Sequence, residues 1–232
     1  MRRQVRRAPW AGTGALVTKA LIAINVLVFL AEIATGSGAT GAGSGGSVVD
    51  RFALDGPDVA NGDWWRLITS GFLHANVLHI GLNMLILWLV GSPLEEMLGR
   101  GRYLLLYFVS LLAGSAGALL QAPISPIAGA SGAVFGILGA MLVLEWNVTN
   151  RWAGQALTWI VINLVISFTV PGISWGGHVG GLIGGILITL AYSNFGRGRS
   201  TYGRLSVPAI AALVVVGVAS IAIAYWKVRG LA

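Results

Sequence analysis

Seven stretches of this chain stay apolar for long enough to cross a lipid bilayer, which takes about 20 helical residues. By hydropathy they lie near 17–35, 77–98, 103–121, 129–146, 155–171, 177–194 and 207–226. Hydrocarbon offers no hydrogen bonds, so each stretch must satisfy its own backbone, and helices do this. The predicted fold class is therefore all-α, a polytopic transmembrane helix bundle of about seven spans. Composition argues the same way. Of 232 residues 56% are hydrophobic and 10% charged, against roughly 25% charged in a soluble domain. So few charges cannot coat a soluble globule.

The net charge of +7, from 15 basic and 8 acidic residues, is explained by position along the chain. With the N-terminus in the cytoplasm, the inner side carries Arg2, Arg3, Arg6, Arg7, Lys19, Arg100, Arg102, Arg151, Arg197, Arg199 and Arg204. The outer side carries Arg51, Arg66, Lys227 and Arg229. Eleven against four follows the positive-inside rule and puts the C-terminus outside. The basic balance is thus topological, and no nucleic-acid partner is expected. A full-length span follows the basic start without a small-residue cleavage site, which reads as an uncleaved anchor. The division expected is a cytoplasmic tail at 1–16, a six-helix core at 17–206 and an extra transmembrane helix at 207–232. The core includes an outer loop at 36–76. That loop opens on a flexible Gly/Ser-rich run, then mixes Phe52, Leu54, Trp64, Trp65, Phe72 and Leu73 with Asp50, Asp55, Asp58 and Asp63. Aromatics of this kind suit a segment lying in the membrane interface.

Polar residues inside spans are costly and point to partners or cavities. His79 and Asn83, four apart, share one helix face. Gluing helices together is one use for such a pair, and a reaction site is another. At the start of the fourth stretch Ser131 stands over a helix N-terminus whose free N–H groups can hold an oxyanion. An ordinary capping serine would look the same. Glycine spacing adds geometry. Gly132, Gly136 and Ala140 recur every four residues, and the sixth stretch carries two ladders, Gly176/Gly180/Gly184 and Gly177/Gly181/Gly185. Small residues at this spacing let membrane helices meet backbone to backbone. Packing these two helices together brings Ser131 and His178, at matching depth, within reach of each other. Neutral imidazole is the usual base for a serine nucleophile. Glu32, Glu95, Glu96 and Glu145 all lie elsewhere, so a dyad is expected rather than a triad. The chain has no cysteine, and no metal or organic cofactor is implied.

These residues resemble the rhomboid family of intramembrane serine proteases, from about Trp64 to Gly185. The likeness rests on motifs in order: Trp65-Arg66-x-x-Thr69, His74-x4-His79-x3-Asn83, Gly91-x3-Glu95, Gly129-Ala130-Ser131-Gly132 and Gly177-His178-x2-Gly181. The resemblance implies Ser131 as nucleophile and His178 as general base. It implies an oxyanion held by the Ser131 N–H with the His79 and Asn83 side chains, and a cavity floored by Gly129 and Gly132. Trp65 and Arg66 would belong to a membrane-embedded outer loop supported by His74, and Glu95 would be structural. The fifth span would form a lateral gate, with the 171–176 loop as a cap. Phe135 stands where many members carry tyrosine. Its ring can stack on His178 but cannot donate a hydrogen bond, so imidazole orientation should lean on packing. The implied partners are single-pass transmembrane protein substrates and the lipid bilayer, in a multi-pass protein of the plasma membrane. A non-catalytic relative would lack Ser131 or His178. A transporter would not call for this serine–histidine pairing, and a soluble hydrolase elbow needs glycine where Ala133 stands.

Overall fold

A computed structural model describes residues 14–37, 46–151, 154–194 and 205–232. Arg2, Arg3, Arg6, Arg7, Arg197, Arg199, Arg204 and most of the Gly/Ser-rich run lie outside the described residues. Within them the regular structure is helical, and the one isolated β-bridge pairs Leu54 with Ile127. Six helices are long and apolar enough to cross a membrane: Leu16–Ala34, Val77–Leu98, Arg100–Gln121, Ser131–Thr149, Trp175–Tyr192 and Val207–Val228. These are the first, second, third, fourth, sixth and seventh spans. The fifth, Gln155–Thr169, has 15 residues, about 22 Å of helix against a hydrocarbon thickness near 30 Å. Pro171 and Gly172, the latter at φ 86°, stop it early. It still joins both faces of the bundle. Its Ala156 N–H lies 3.4 Å from the Glu145 carboxylate near the far end of the fourth span, and its Ser167 meets His178 near the start of the sixth.

The third, fourth and sixth spans form the centre. One glycine ladder of the sixth faces the fourth: a methyl on Gly181 would strike the Gly132 carbonyl, and one on Gly185 the Gly136 carbonyl. The other ladder faces the third: Gly176 and Gly180 abut the carbonyls of Gly117 and Ala113. Gly136 in turn abuts the Ser110 side chain of the third span. Lipid supplies no hydrophobic drive for helices to associate, so this close van der Waals approach holds them.

Around this centre the first and seventh spans expose apolar faces suited to lipid. Glu95, 2% exposed, fixes the first span at its start. Its carboxylate accepts from Val17 N–H at 3.0 Å, Thr18 N–H at 2.8 Å and Thr18 Oγ1–H at 2.8 Å. A buried anion at a helix N-terminus satisfies otherwise free donors and complements the helix dipole. At the opposite face Leu54, Val59 and Leu67 of the first loop pack with Leu119 of the third span and Ala224 and Val228 of the seventh. The first loop and the end of the seventh span therefore share a face.

Because Gly181 has the Gly132 carbonyl where a Cβ would go, Gly181→Ala should lower stability by about 1–3 kcal/mol, as overpacking does. Gly217 of the seventh span has open space there, and Gly217→Ala should change stability by no more than about 1 kcal/mol. Thermal unfolding in a bicelle compares them, and equal midpoints would refute this account of the packing.

Candidate active site

The first loop is built on Arg66, which is 5% exposed. Its guanidinium pairs with Asp58 and Asp63 at 3.0 Å each. It also donates to the carbonyls of Asp50 at 2.9 Å and Ala53 at 2.8 Å. Planar, always charged and rich in donors, a guanidinium can satisfy four groups from different turns at once. Thr69 Oγ1 adds a bond to the Phe52 carbonyl at 3.0 Å, and Ser115 of the third span holds the Leu67 carbonyl at 2.7 Å. The loop thus forms a fixed platform. Its exposed aromatic is Trp65, while Phe72 packs against Tyr107 and Phe108.

The platform grips the segment that leads into the fourth span. Leu54 and Ile127 exchange backbone bonds of 2.9 Å, Gly56 N–H donates to the Pro123 carbonyl, and Gly129 N–H donates to the Ser70 carbonyl at 2.9 Å. Gly129 then takes φ 139°, open only to glycine at low cost, and the helix begins two residues later at Ser131. A Cβ on Gly129 would also lie 2.9 Å from His79 Nε2 and 3.5 Å from Ser131 Oγ. The missing side chain therefore lets the His79 imidazole close up on the Gly129 backbone beside the Ser131 hydroxyl.

Local bonds orient His79. Asn76 caps the second span by accepting the His79 N–H at 2.9 Å, and Ala75 N–H donates to His79 Nδ1 at 3.4 Å. Nδ1 is thereby an acceptor, which leaves the proton on Nε2, beside Ser131. Asn83 is buried one turn further in, and its Nδ2 donates back to the His79 carbonyl at 3.0 Å. His74 is a supporting group. Its backbone N–H donates to the buried Glu32 carboxylate at 3.1 Å, and its ring meets that of His79 edge-on at 5.1 Å. Burial and the neighbouring His79 push the His74 imidazole down to about 3, so it is uncharged at neutral pH.

His178 is 8% exposed. It stacks on Phe135 with ring centroids 4.3 Å apart and planes 15° from parallel. Phe135 lies one turn beyond Ser131, so serine and imidazole share a face where Gly132 meets Gly181. The His178 ring hydrogen-bonds with Ser167 Oγ, 2.6 Å from its Nδ1. Sequence reasoning missed Ser167. The available signal was Asn163 and Ser167, two polar residues four apart within the apolar stretch 159–168, the pattern that singled out His79 and Asn83. Among the described residues no group of three or more His, Asp or Glu side chains is arranged to hold a metal.

Close-packed helices, six of them long and apolar enough to cross a membrane, carry a serine and a histidine at one end and define a polytopic membrane protein. A family model described as Rhomboid domain matches residues 61–195, more than half of the chain, and the chain belongs to the Rhomboid family. It is 38% identical over 179 residues to Rhomboid protease GluP of Bacillus subtilis, a match covering 75% of this chain and 34% of GluP. It is 38% identical over 137 residues to YdcA of the same bacterium, covering 56% of this chain and 68% of YdcA. RHOMBOID-like protein 4 of Arabidopsis thaliana is 34% identical over 144 residues, covering 58% of this chain and 36% of that protein. The chain thus spans about a third of the length of two of these relatives.

Proposed function

We propose that this protein is an intramembrane serine endopeptidase that cuts transmembrane helices of other membrane proteins near their outer ends. One observation carries the reading. Ser131 Oγ and the Nε2 of His79 converge on the side-chain-free face of Gly129, with His178 stacked one turn away on Phe135. The named relatives, GluP among them, support a peptide hydrolase.

In this mechanism His178 Nε2 takes the proton of Ser131 Oγ as the oxygen attacks the scissile carbonyl. The resulting oxyanion is held by the Ser131 backbone N–H and by His79 Nε2–H. Asn83 adds a donor when its amide turns from the His79 carbonyl. Collapse breaks the C–N bond, and the imidazolium protonates the leaving amine. Water, deprotonated by the same imidazole, then hydrolyses the acyl-serine. Preorganised donors of this kind typically contribute ~10²–10³ in rate each. The six-helix core carries this chemistry, and the helix at 207–232 buttresses the outer loop.

Ser131→Ala and His178→Ala should each lower cleavage of a tagged transmembrane substrate by roughly 10³-fold or more, because members of such a unit do not work singly. The double mutant should lose little beyond either one. Near-wild-type turnover by Ser131→Ala would remove the nucleophile assignment.

The reacting atoms lie at the first turns of the fourth and sixth spans, beside the outer loop. A substrate helix hides its carbonyls in its own hydrogen bonds and must unwind to reach them, at several kcal/mol per exposed group. Single-pass helices weakened by Gly, Pro or polar residues near that end are the substrates this favours, with small residues such as Ala at the cut. Two substrates differing only in the outer third, one Gly/Pro-containing and one all-Leu, should be cleaved unequally, the first faster. Equal rates, or a cut mapped to the opposite end, would defeat the substrate assignment.

The eleven-to-four basic bias supports a cytoplasmic N-terminus and an external C-terminus in a plasma membrane. Accessibility reporters fused to the two ends should read opposite sides. Both ends on one side would mean that one helix does not cross.

A further inference from the structure

Ser167 is 3% exposed in the fifth helix, whose other buried residues are the apolar Ala156 and Ile160. Its hydroxyl makes two contacts, to the Asn163 carbonyl at 2.5 Å and to His178 Nδ1 at 2.6 Å. A hydroxyl has one proton to give. The Asn163 carbonyl can only accept, so the proton of Ser167 goes to it. The second contact must then run the other way, with Nδ1–H of His178 donating to Ser167 Oγ. An imidazole protonated at Nδ1 has its free lone pair on Nε2. That is the form a general base needs on the nitrogen turned toward a nucleophile.

Phe135, stacked on the same ring, fixes the plane of the imidazole but carries no polar group to select a tautomer. In many hydrolases a buried carboxylate does this work. Among the described residues no carboxylate hydrogen-bonds to His178, and the hydroxyl contact comes from a neighbouring helix. We propose that Ser167 is the positioning residue for His178, passing its hydroxyl proton to the Asn163 carbonyl and accepting Nδ1–H, so that Nε2 is held as the base. The inference rests on the proteolytic reading for its catalytic consequence, but its structural content is a tautomer and a ring orientation.

The test combines kinetics with 15N spectra of histidine-labelled protein in bicelles, with the His178 signals assigned by their loss in His178→Gln. In the wild type His178 should show protonated Nδ1 and unprotonated Nε2. Ser167→Ala should populate the Nε2–H form and lower kcat about tenfold, the effect of one lost hydrogen bond, with KM within about twofold. Ser167→Thr, whose hydroxyl can also bond the carbonyl four residues back, should restore both the spectrum and most of kcat. An unchanged tautomer in Ser167→Ala overturns the proposal. So does a fall in kcat without a tautomer change, because that outcome assigns Ser167 to helix packing alone. The spectra do not depend on turnover. If Ser131→Ala left cleavage intact, the proteolytic reading would fail while the tautomer result still judged Ser167.

Discussion

The structure depends on the distance at which the third, fourth and sixth spans meet. Gly132 against Gly181 and Gly136 against Gly185 leave room for backbone alone. A contact that close admits little sliding, because any side chain brought into it by a shift of register would collide with a carbonyl. The register in turn sets the level of Ser131, one residue before Gly132, and of His178, three residues before Gly181. Chemistry at one end of the bundle is therefore positioned by packing along its middle. Dispersion between close atoms is individually small, but it is what remains when lipid is as apolar as the protein.

The first loop does complementary work at one end of the bundle. Its polar backbone could not face hydrocarbon unpaired, and Arg66 gathers two aspartates and two carbonyls into one satisfied cluster. Once closed, the loop is stiff enough to hold the 123–129 segment, and with it the left-handed Gly129 that turns the chain into Ser131. Glu95 plays the matching part at the other face by capping the first span. Both are buried charges whose hydrogen bonds are supplied by chain that would otherwise have free donors or acceptors.

Much of this was legible in the sequence, because burial in lipid writes a coarse signal. The hydropathic stretches fall within a few residues of the observed helices, and the serine, histidines and glycine ladders stand out against an apolar background. The fifth helix ends at Thr169, two residues earlier than hydropathy suggests, since Val170 is apolar enough to continue but Pro171 and Gly172 turn the chain. The partner of the second ladder was hidden. Gly114 and Gly117 are three apart and do not repeat, yet Gly117 receives both Gly176 and Gly180. Ser167 was harder still. A serine in an apolar helix commonly bonds its own preceding turn, and only the three-dimensional approach of His178 distinguishes it. The Arg66 cluster was illegible in part for a similar reason, because backbone carbonyls carry no residue signature.

The glycine contacts also bear on how the chain is made. The sixth span fills the space between the third and fourth and is synthesised after both. Until it is inserted, the Gly132 and Gly136 carbonyls lack the Gly181 and Gly185 backbone that packs on them, and Ser131 stands in the membrane without His178. At roughly 5–20 residues per second the nascent protein passes seconds in that state. Under the proposed function, a centre divided between an early helix and a late one stays inert while the newly made chain is itself a stretch of unassembled membrane helices.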